Sequence, residues 1–540
     1  MMQNATWFKS YPENVKTTIE IDQRTMVDVF YEAIKENPNH IALVQGNQNV
    51  TYVGFEKKVH QLANALRQKG LNKGDRVALM MANSIEYVVS YYAVLINGAI
   101  IVQNNPMYTE HELYFQINDA QATMLIIDGT LAEQFPTIKG DTTIKHVFLS
   151  GCNSNQSNSL SEIFKSGNTK FERVALNEKE DIAVLQYTGG TTGVSKGVML
   201  SHSNIYANVV QTHSFLGVHA KPYSERLLNV LPLFHVYGMT VSMNYMIYLK
   251  STMYIVSKFK SDETLTLLNQ HQITMFPGTP TIYVAVNHDE HIQQYDISSI
   301  HTCISGSAPL PVEVKNHFEQ LTGAKVVDAY GLSEASPVTH SNPINGIRKP
   351  GSMGLPIPNT QCKIVSIAES KETLAINEPG ELVIKGPQIM KGYWNMQDET
   401  ENALKDGWLY TGDIVYMDED GYFFIVGRKK DVIIASGFNI YPREIEEVVF
   451  NHPSVKEVVA IGVPHSYRGE TVKIFVVPKD DEQLDENEII EFCKGKLAKY
   501  KLPTIVEVRD ELPKTAVGKL LRRTLVEEEL KKLQMNQLGS

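Results

Sequence analysis

A glycine- and threonine-rich segment carries the strongest chemical signal in the sequence. From Thr188 to Gly197, ten residues contain four glycines, three threonines and a single lysine, Lys196. Glycines let backbone N–H groups surround an anion, hydroxyls add donors, and a lysine adds a point charge. The pattern is not a Walker A loop, because Ser195 rather than Gly precedes the lysine and Gly197 rather than Ser or Thr follows it. We interpret it as a phosphate-binding loop of another type; the alternative is a flexible glycine loop.

Length and composition limit what surrounds this loop. A chain of 540 residues exceeds the usual single-domain size and predicts a multi-lobed protein. A net charge of −11 argues against a nucleic-acid partner, although local cations and N–H groups can still hold a phosphate. The four cysteines are scattered without a CxxC pair, and the start lacks a basic segment followed by an apolar one. These features predict reduced thiols in a cytoplasmic protein.

Alternating strand-like and helix-like segments predict the elements that position the loop. Arg76–Met80 is strand-like, Ser84–Leu95 is helical, and Ala99–Val102 is again apolar, which predicts parallel sheets covered by helices. We expect an apolar strand, Ile182–Gln186, to enter the loop and a helix near Ser201 to follow it. Further strands are expected at Thr123–Asp128, Leu227–Leu231 and Thr302–Ser305.

The pattern of predicted secondary structure changes near Gly427–Asp431. Short alternations follow at Val455–Val463 and Val472–Val477, and then a charged helical segment from Glu486 to Tyr500. A small α+β domain of about 110 residues is therefore expected after this point, a size that can fold alone.

Seven motifs occur along the chain in a fixed order. They are Tyr187–Leu200, Leu231–Gly238, Ser305–Leu310, Tyr330–Glu334, Tyr410–Asp413, Gly427–Arg428 leading into Ser436–Pro442, and Pro513–Lys519. Together they resemble the adenylate-forming superfamily, which contains acyl-CoA synthetases, amino-acid adenylation domains and firefly luciferase. Within it, the segments look most similar to bacterial medium- and long-chain fatty-acid–CoA ligases.

The resemblance implies a fold and a domain organisation. The fold class is α/β, with a large N-terminal domain of two α/β sheet subdomains plus a β-barrel, and a small mobile α+β C-terminal lid. The N-terminal domain would span residues 1–428 and the lid residues 429–540, with a hinge near Lys430.

The resemblance also implies the reaction. ATP would activate a fatty acid to acyl-AMP, and CoA would then accept the acyl group, giving acyl-CoA, AMP and pyrophosphate. The β- and γ-phosphates would be held by Thr188, Gly189, Gly190, Thr191, Thr192 and Lys196. Glu334 would coordinate Mg²⁺, and Ser333 stands where many relatives carry Thr but keeps the hydroxyl.

Adenosine contacts are implied for three further groups of residues. Asp413 would accept both ribose hydroxyls, and Arg428 would reinforce ribose or phosphate binding. The adenine would lie between Gly306, Ser307 and Ala308 on one side and Ala329, Tyr330 and Gly331 on the other, with the Tyr330 ring stacked on it. The alternatives are a turn-capping Asp413, a core Tyr330 and a solvated Arg428.

Five residues are implied in catalysis and domain movement. Lys519 would reach the α-phosphate and the attacking carboxylate, and rotation about Lys430 would replace it with Gly437, which leaves room for pantetheine. His235 would gate the substrate carboxylate, and Thr188 would assist at the phosphates. Their alternatives are a surface lysine, a turn glycine and a core histidine.

Substrate and partners are less constrained. The acyl chain would pass Tyr237–Met239 and the bend Pro277–Pro280, but an aryl- or small-acid–CoA ligase, or an acyl-AMP ligase that loads a carrier protein, fits the same motifs. The cations Lys494, Lys496, Lys499, Lys501, Arg522, Arg523, Lys531 and Lys532 would attract CoA phosphate or the inner face of a membrane, or form a solvated surface. Both a monomer and a homodimer are compatible with the sequence.

Overall fold

Strands and helices alternate through most of the chain, as the sequence predicts. A computed structural model describes residues 5–151, 157–188, 195–217, 219–308, 310–367, 372–435, 438–465, 468–479, 482, 484–514 and 520–538. The chain divides into two units. The first comprises Met1–Gln361, Ile384–Leu409 and Asp420–Tyr422, and the second comprises Cys362–Val383, Tyr410–Glu419 and Phe423–Ser540.

The strands are short, and most are buried. In chain order they are β1 Ile41–Gln45, β2 Gln48–Thr51, β3 Arg76–Met80, β4 Ile100–Gln103, β5 Met124–Asp128, β6 His146–Ser150, β7 Ile182–Thr188, β8 Lys196–Ser201, β9 Arg226–Asn229, β10 Thr252–Ile255, β11 Thr302–Ser305, β12 Lys325–Gly331, β13 Val338–Ser341, β14 Leu355–Pro356, β15 Gln361–Val365, β16 Gly380–Lys385, β17 Gly392–Tyr393, β18 Leu404–Lys405, β19 Trp408–Met417, β20 Phe423–Arg428, β21 Ile433–Ala435, β22 Phe438–Ile440, β23 Val455–His465, β24 Gly469–Pro478 and β25 Ile505–Val508.

Helices connect most of these strands. They are α1 Met26–Glu36, α2 Tyr52–Gln68, α3 Ile85–Ile96, α4 Glu110–Ala120, α5 Gly129–Ala132, α6 Ile138–Asp141, α7 Leu160–Ser166, α8 His202–Leu216, α9 Tyr245–Tyr248, α10 Ser261–Gln270, α11 Pro280–Asn287, α12 Val312–Thr322, α13 Gln397–Ala403, α14 Pro442–Phe450, α15 Glu486–Cys493 and α16 Arg522–Leu538. Short 3₁₀ turns include Ser333–Ala335 and Lys429–Asp431, and Gly238–Asn244 forms a π-helix. None of the helices in the described ranges has both the length and the apolar character needed to cross a bilayer.

The first α/β sheet has seven strands in the order β17-β8-β7-β4-β3-β5-β6. Strands β3 to β7 pair in parallel, whereas β8 runs antiparallel to both β7 and β17. The parallel strands are almost continuously apolar because helices cover both faces of such a sheet. The expected α/β class is therefore confirmed.

The second α/β sheet joins two four-stranded groups, β2-β1-β10-β9 and β11-β12-β13-β14. Met275 lies between them and forms parallel bridges to Leu227 and to Thr302. Because β11 and β12 are parallel neighbours, the segments that follow them leave the sheet at the same edge.

A five-stranded sheet, in the order β15-β16-β19-β18 with β20 beside β19, lies in the part of the chain between the second α/β sheet and the C-terminal sheet. Its strand order is that of an open sheet, so the predicted β-barrel stays a prediction. The C-terminal part of the second unit is a sheet in the order β22-β21-β24-β23, with β25 beside β24. Its apolar core includes Ile433, Ile445, Ile474 and Val506. The α+β character expected there is confirmed.

Two local expectations need correction. The charged helix predicted over Glu486–Tyr500 ends at Cys493, because Lys494 is extended and Gly495 adopts a φ of +79°. The glycine-rich loop does not lead directly into a helix, since strand β8 intervenes before α8. Helix α8 begins beside Ser201 as expected, and Ser201 and Asn204 form a capping box.

Candidate active site

The glycine-rich loop is carried by a β-hairpin. Thr188, the last residue of β7, is paired with Lys196, the first residue of β8. The Ser195 hydroxyl donates a hydrogen bond of 2.9 Å to the Thr188 carbonyl, which also ties the two strands together. Gly189, Gly190, Thr191 and Thr192 lie outside the described residues. The structure therefore brings the two ends of the predicted phosphate loop together.

Lys196 is held between a carboxylate and an aromatic ring. Its Nζ forms an ion pair with Glu399 of α13 and lies 5.1 Å from the centroid of the Tyr393 ring. Only 13% of the Lys196 side chain is exposed, against 40% for Glu399. A lysine so placed is oriented rather than freely mobile, and its charge is balanced locally.

Glu334 contacts the same tyrosine from another direction. The Tyr393 hydroxyl donates a hydrogen bond of 2.9 Å to Glu334 Oε1, and the Met390 N–H donates one of 2.8 Å to the Glu334 carbonyl. Burial, and then the nearby Glu334 carboxylate, raise the pKa of Tyr393, so the hydroxyl stays a donor. Lys196 and Glu334, which lie far apart in sequence, are thus brought to a single side chain.

The sequence alone does not identify Tyr393 and Glu399 as site residues. They lie in the segment Gly392–Thr400, whose residue types suggest no particular chemistry. Their role in the site is visible only from the pairing of β17 with β8 and from the ion pair to Lys196.

The two segments expected to flank adenine lie at one sheet edge. Gly306, Ser307 and Ala308 follow β11, while Ala329, Tyr330 and Gly331 end β12. Ser307 has a φ of +74° and is exposed, and a Cβ at Gly306 would lie 3.2 Å from the Tyr237 ring. Their adjacency follows from the parallel pairing of Ser305 with Asp328.

Tyr330 is only partly buried, which separates it from a core aromatic. Its ring meets His340 edge to face, with the centroids 5.8 Å apart. Complete burial lowers the pKa of His340 to about 3, so this neighbour is neutral. Ser333 and Glu334 follow in the next 3₁₀ turn, which places the predicted metal ligand close to the expected adenine segment.

His235 precedes the π-helix and is oriented by its own backbone. Its Nδ1 accepts the Tyr237 N–H at 3.2 Å, and its carbonyl accepts the Met239 N–H at 2.9 Å. Gln186, two residues before Thr188, donates a hydrogen bond of 3.2 Å to the Phe234 carbonyl. The strand that carries the phosphate loop and the segment that carries His235 are thus joined.

Tyr237, a predicted wall of the acyl pocket, is held in place by its hydroxyl group. Its hydroxyl donates to the Ile304 carbonyl at 2.7 Å and reaches the Gly278 carbonyl at 3.4 Å. The bend Pro277–Pro280 therefore contacts Tyr237, so two parts of the predicted acyl path are neighbours. Gly238 cannot carry a side chain here, because a Cβ would lie 2.3 Å from the Pro232 carbonyl oxygen.

Asp413 and Arg428 are paired within the second unit. They are cross-strand partners on β19 and β20, with 3.2 Å between Asp413 Oδ1 and Arg428 Nε. Glu381 contacts the chain neighbours of both residues: it accepts the Gly412 N–H at 3.2 Å and binds Lys429 Nζ at 2.8 Å. The structure therefore brings together the two residues expected at the ribose.

Two of the three functional residues expected in the C-terminal domain, Gly437 and Lys519, lie outside the described residues. Lys514 and Leu520, the described residues on either side of the segment that contains Lys519, form an antiparallel bridge. Arg522 anchors the following helix through Asp431 at 2.9 Å, the residue next to the predicted hinge at Lys430. Lys430 itself is exposed in the turn Lys429–Asp431.

Many C-terminal cations are paired with acids. The pairs are Lys494–Glu491, Lys501–Glu444, Arg522–Asp431, Arg522–Glu446, Arg523–Glu527, Lys532–Glu507 and Lys532–Glu529. This end of the chain therefore carries less uncompensated positive charge than its lysines and arginines suggest.

Comparisons with known proteins identify the family of the chain. The model of the AMP-binding enzyme family matches residues 30–394, and that of the AMP-binding enzyme C-terminal domain matches residues 444–519. The chain is 44% identical to a long-chain-fatty-acid–CoA ligase of Bacillus subtilis (strain 168), over 98% of this chain and 99% of that protein. It is 38% identical to the enzyme of the same name from Escherichia coli O157:H7, over 97% of this chain and 98% of that protein.

Solved structures show the same architecture. ATP-bound MatB from Rhodopseudomonas palustris is 30% identical, with a TM-score of 0.86 over 93% of this chain and 98% of that one. A Mycobacterium tuberculosis fatty acyl CoA synthetase is 28% identical, with a TM-score of 0.76 over 94% and 99% of the two chains. The chain belongs to the AMP-binding enzyme family.

Proposed function

We propose that this protein is an ATP-dependent fatty-acid–CoA ligase. It forms acyl-AMP and pyrophosphate from a fatty acid and ATP, and then transfers the acyl group to CoA with release of AMP. Support comes above all from the 44% identity, along nearly the whole of both chains, with a long-chain-fatty-acid–CoA ligase. The cytoplasm is the proposed location, which fits the buried thiols of Cys303 and Cys493.

The two-step reaction follows from the chemistry of a carboxylate. A carboxylate resists attack by a thiol because its leaving group would be oxide. Joining it to the α-phosphorus of ATP creates a mixed anhydride with AMP as a good leaving group. Charge develops on the phosphoryl oxygens and on departing pyrophosphate, so the protein contributes mainly by positioning and by electrostatic stabilisation.

The phosphate roles are assigned to the hairpin and its partners. Thr188 and Lys196, with Gly189, Gly190, Thr191 and Thr192, would bind the β- and γ-phosphates. Lys196 is already oriented by Tyr393 and Glu399, which supports this role. Its nucleotide contacts would replace the ion pair to Glu399.

Mg²⁺ fits the donors that the first unit provides. Within the described residues, no three His, Cys, Asp or Glu side chains form a metal site by themselves. A single partly buried carboxylate, Glu334, suits an ion that keeps several waters and takes its other ligands from phosphate oxygens. When bound, the ion would neutralise phosphate charge, and Glu334 would hold it.

Adenosine and carboxylate roles are proposed for the remaining residues. Tyr330, with Ala329 and Gly331, would contact one face of adenine, and Gly306, Ser307 and Ala308 the other. Asp413 would bind the ribose with Arg428 as its partner, and Ser333 would add a hydroxyl beside Glu334. His235 would close over the substrate carboxylate.

The domain division and the alternation between half-reactions are proposed from the family resemblance. The boundary would lie at residue 428, with a hinge near Lys430. Lys519 would serve adenylate formation, and Gly437 would serve thioester formation.

An aryl- or small-acid–CoA ligase is the second candidate. An anthranilate CoA ligase, at 26% identity, and an o-succinylbenzoate CoA synthetase of Bacillus subtilis, at 27% identity, have TM-scores of 0.85 and 0.81 with this chain. Their sequences are less similar than the 44% identical fatty-acid enzyme, which favours the fatty-acid proposal.

Substrate choice is tested by AMP and pyrophosphate formation across acids from acetate to oleate, with benzoates, each with and without CoA. We expect CoA-dependent turnover on medium- and long-chain acids and little on benzoates. Turnover on benzoates alone would favour the second candidate. Pyrophosphate release without use of CoA would point to a carrier-protein acceptor and contradict the CoA assignment.

Glu399→Gln should strengthen ATP binding. In the structure Glu399 neutralises Lys196, so phosphates must displace it. Because Glu399 is partly exposed, the pair is worth less than about 1 kcal/mol, and KM for ATP should fall about two- to fivefold. Steady-state KM values at low and high salt would measure this.

Asp398→Asn is the matched control for this variant. Asp398 is the exposed neighbour on the same helix, so its removal changes the net charge equally without breaking the pair to Lys196. We expect its KM for ATP to stay near wild type. An unchanged or raised KM in Glu399→Gln would show that Glu399 does not compete with the nucleotide.

A further inference from the structure

We propose that Tyr393 is a positioning residue that holds Lys196 and Glu334 apart and orients both for the magnesium–nucleotide complex. Its ring lies beneath the Lys196 ammonium, at 5.1 Å, and its hydroxyl donates to Glu334 Oε1 at 2.9 Å. One rigid side chain therefore contacts both the cation expected at the phosphates and the carboxylate expected at the metal. This inference rests on the function proposed above.

Strand pairing fixes the Tyr393–Lys196 contact. Tyr393 is the cross-strand partner of Val198 on β8, and Lys196 lies two residues before Val198. Residues two apart in a strand point to the same face, so Lys196 and Tyr393 are diagonal neighbours. The contact is thus a consequence of backbone register and not of a chance rotamer.

Helix α13 fixes the backbone of Tyr393. The Tyr393 N–H donates to the Thr400 hydroxyl at 2.9 Å, and that hydroxyl donates to the Met396 carbonyl at 2.8 Å. A Cβ at Gly392 would lie 2.6 Å from Thr400 Cγ2, so only glycine allows this approach. Both ends of the short strand β17 are therefore held.

The arrangement prevents a direct ion pair. A lysine and a glutamate in a partly buried site attract one another, and such a pair would quench both groups. Here Tyr393 takes the Lys196 ammonium on its ring and donates to the Glu334 carboxylate, while Glu399 pairs with Lys196. The negative charge of Glu334 is therefore left for another cation.

Two substitutions separate the two contacts. Tyr393→Phe keeps the ring beneath Lys196 and removes only the hydrogen bond to Glu334. Tyr393→Leu removes both and lets Lys196 and Glu334 approach one another. The first should affect the metal-dependent part of nucleotide binding, and the second should affect nucleotide binding with and without metal.

Calorimetric binding of α,β-methylene-ATP, which cannot release pyrophosphate, measures both effects on the full chain. The readout is the ratio of Kd in EDTA to Kd in Mg²⁺. For Tyr393→Phe we expect this ratio to fall about tenfold, as for a lost hydrogen bond to a charged group, with the metal-free Kd within about twofold of wild type. For Tyr393→Leu the metal-free Kd should also rise about tenfold.

Tyr223→Phe is the matched control. Tyr223 also lies beneath a lysine, with Lys250 Nζ 5.7 Å from its ring, and also donates to a carboxylate, that of Glu36. It contacts none of the proposed site residues among those that the structure describes, and both binding constants should stay at wild-type values. An equal loss of ratio in this variant would overturn the assignment to Tyr393.

The outcomes separate the inference from the proposed function. If the wild-type chain binds the analogue and forms AMP, but Tyr393→Phe keeps the wild-type ratio, only the positioning role of Tyr393 fails. If Tyr393→Phe weakens metal-free binding as much as metal-dependent binding, Tyr393 is merely structural and the inference also fails. If the wild-type chain binds no analogue, the proposed function and the inference fail together.

Discussion

Lys519→Ala should abolish most acyl-AMP formation while sparing the second half-reaction. The resemblance places this ammonium at the α-phosphate and the attacking carboxylate oxygen, two anions that repel one another as they meet. Removing one such electrostatic contact costs on the order of a hundred- to a thousandfold in rate. Thioester formation from supplied acyl-AMP has no such encounter of anions, and we expect it within about threefold of wild type. Single-turnover measurements of the two half-reactions would check both values.

Lys514→Ala is the control for loss of positive charge in the same motif. Lys514 pairs with Glu457 on β23 and bridges to Leu520, so it has a local structural role. Both half-reactions should stay near wild type in this variant.

Gly437→Leu should give the reverse of Lys519→Ala, with adenylate formation kept and thioester formation lost. If both variants lost both half-reactions equally, the proposed alternation would be wrong.

Much of the fold is predictable because buried strands and helix caps leave local patterns. The apolar runs at β3, β4 and β11 and the start of α8 near Ser201 are all predictable from the sequence. Strand β8 is not predicted, because its apolar run Val198–Leu200 is only three residues long and directly follows the glycine-rich loop. Its second partner, β17, is distant in the sequence and leaves no local pattern. The early end of α15 had a local signal, Gly495, which outweighs the helical charge pattern that continues beyond it.

Some residues of the candidate site are predictable from the local sequence and others are not. The density of Gly and Thr around Lys196 indicates an anion site on its own, since the chemistry is local. Glu334 and Asp413 carry no local signal and were assigned only through the family resemblance. Tyr393 and Glu399 have no local signal and were not assigned through the resemblance. A tyrosine and a glutamate in a polar segment are common residues, and their importance comes from tertiary contacts alone.

Glu334→Gln should reduce kcat/KM for ATP-dependent AMP formation by about a hundredfold, the effect of losing roughly 3 kcal/mol of charge stabilisation at a metal site. Gln keeps the length of the side chain and can still accept the Tyr393 hydroxyl, so packing should be preserved. The change therefore isolates the negative charge. A hard cation binds a neutral amide oxygen more weakly than a carboxylate, and the Mg²⁺ concentration for half-maximal rate should rise.

Glu36→Gln is the matched control for Glu334→Gln. Glu36 likewise accepts a tyrosine hydroxyl, from Tyr223, and lies near a lysine, Lys250, but it contacts no proposed site residue in the described parts of the chain. If loss of a tyrosine-bound carboxylate acted only through stability, both variants would lose activity in proportion to their thermal midpoints. We expect instead that Glu36→Gln keeps the wild-type Mg²⁺ dependence. A Glu334→Gln enzyme with an unchanged Mg²⁺ requirement would remove Glu334 from the metal site and leave Tyr393 as the partner of an ordinary structural acid.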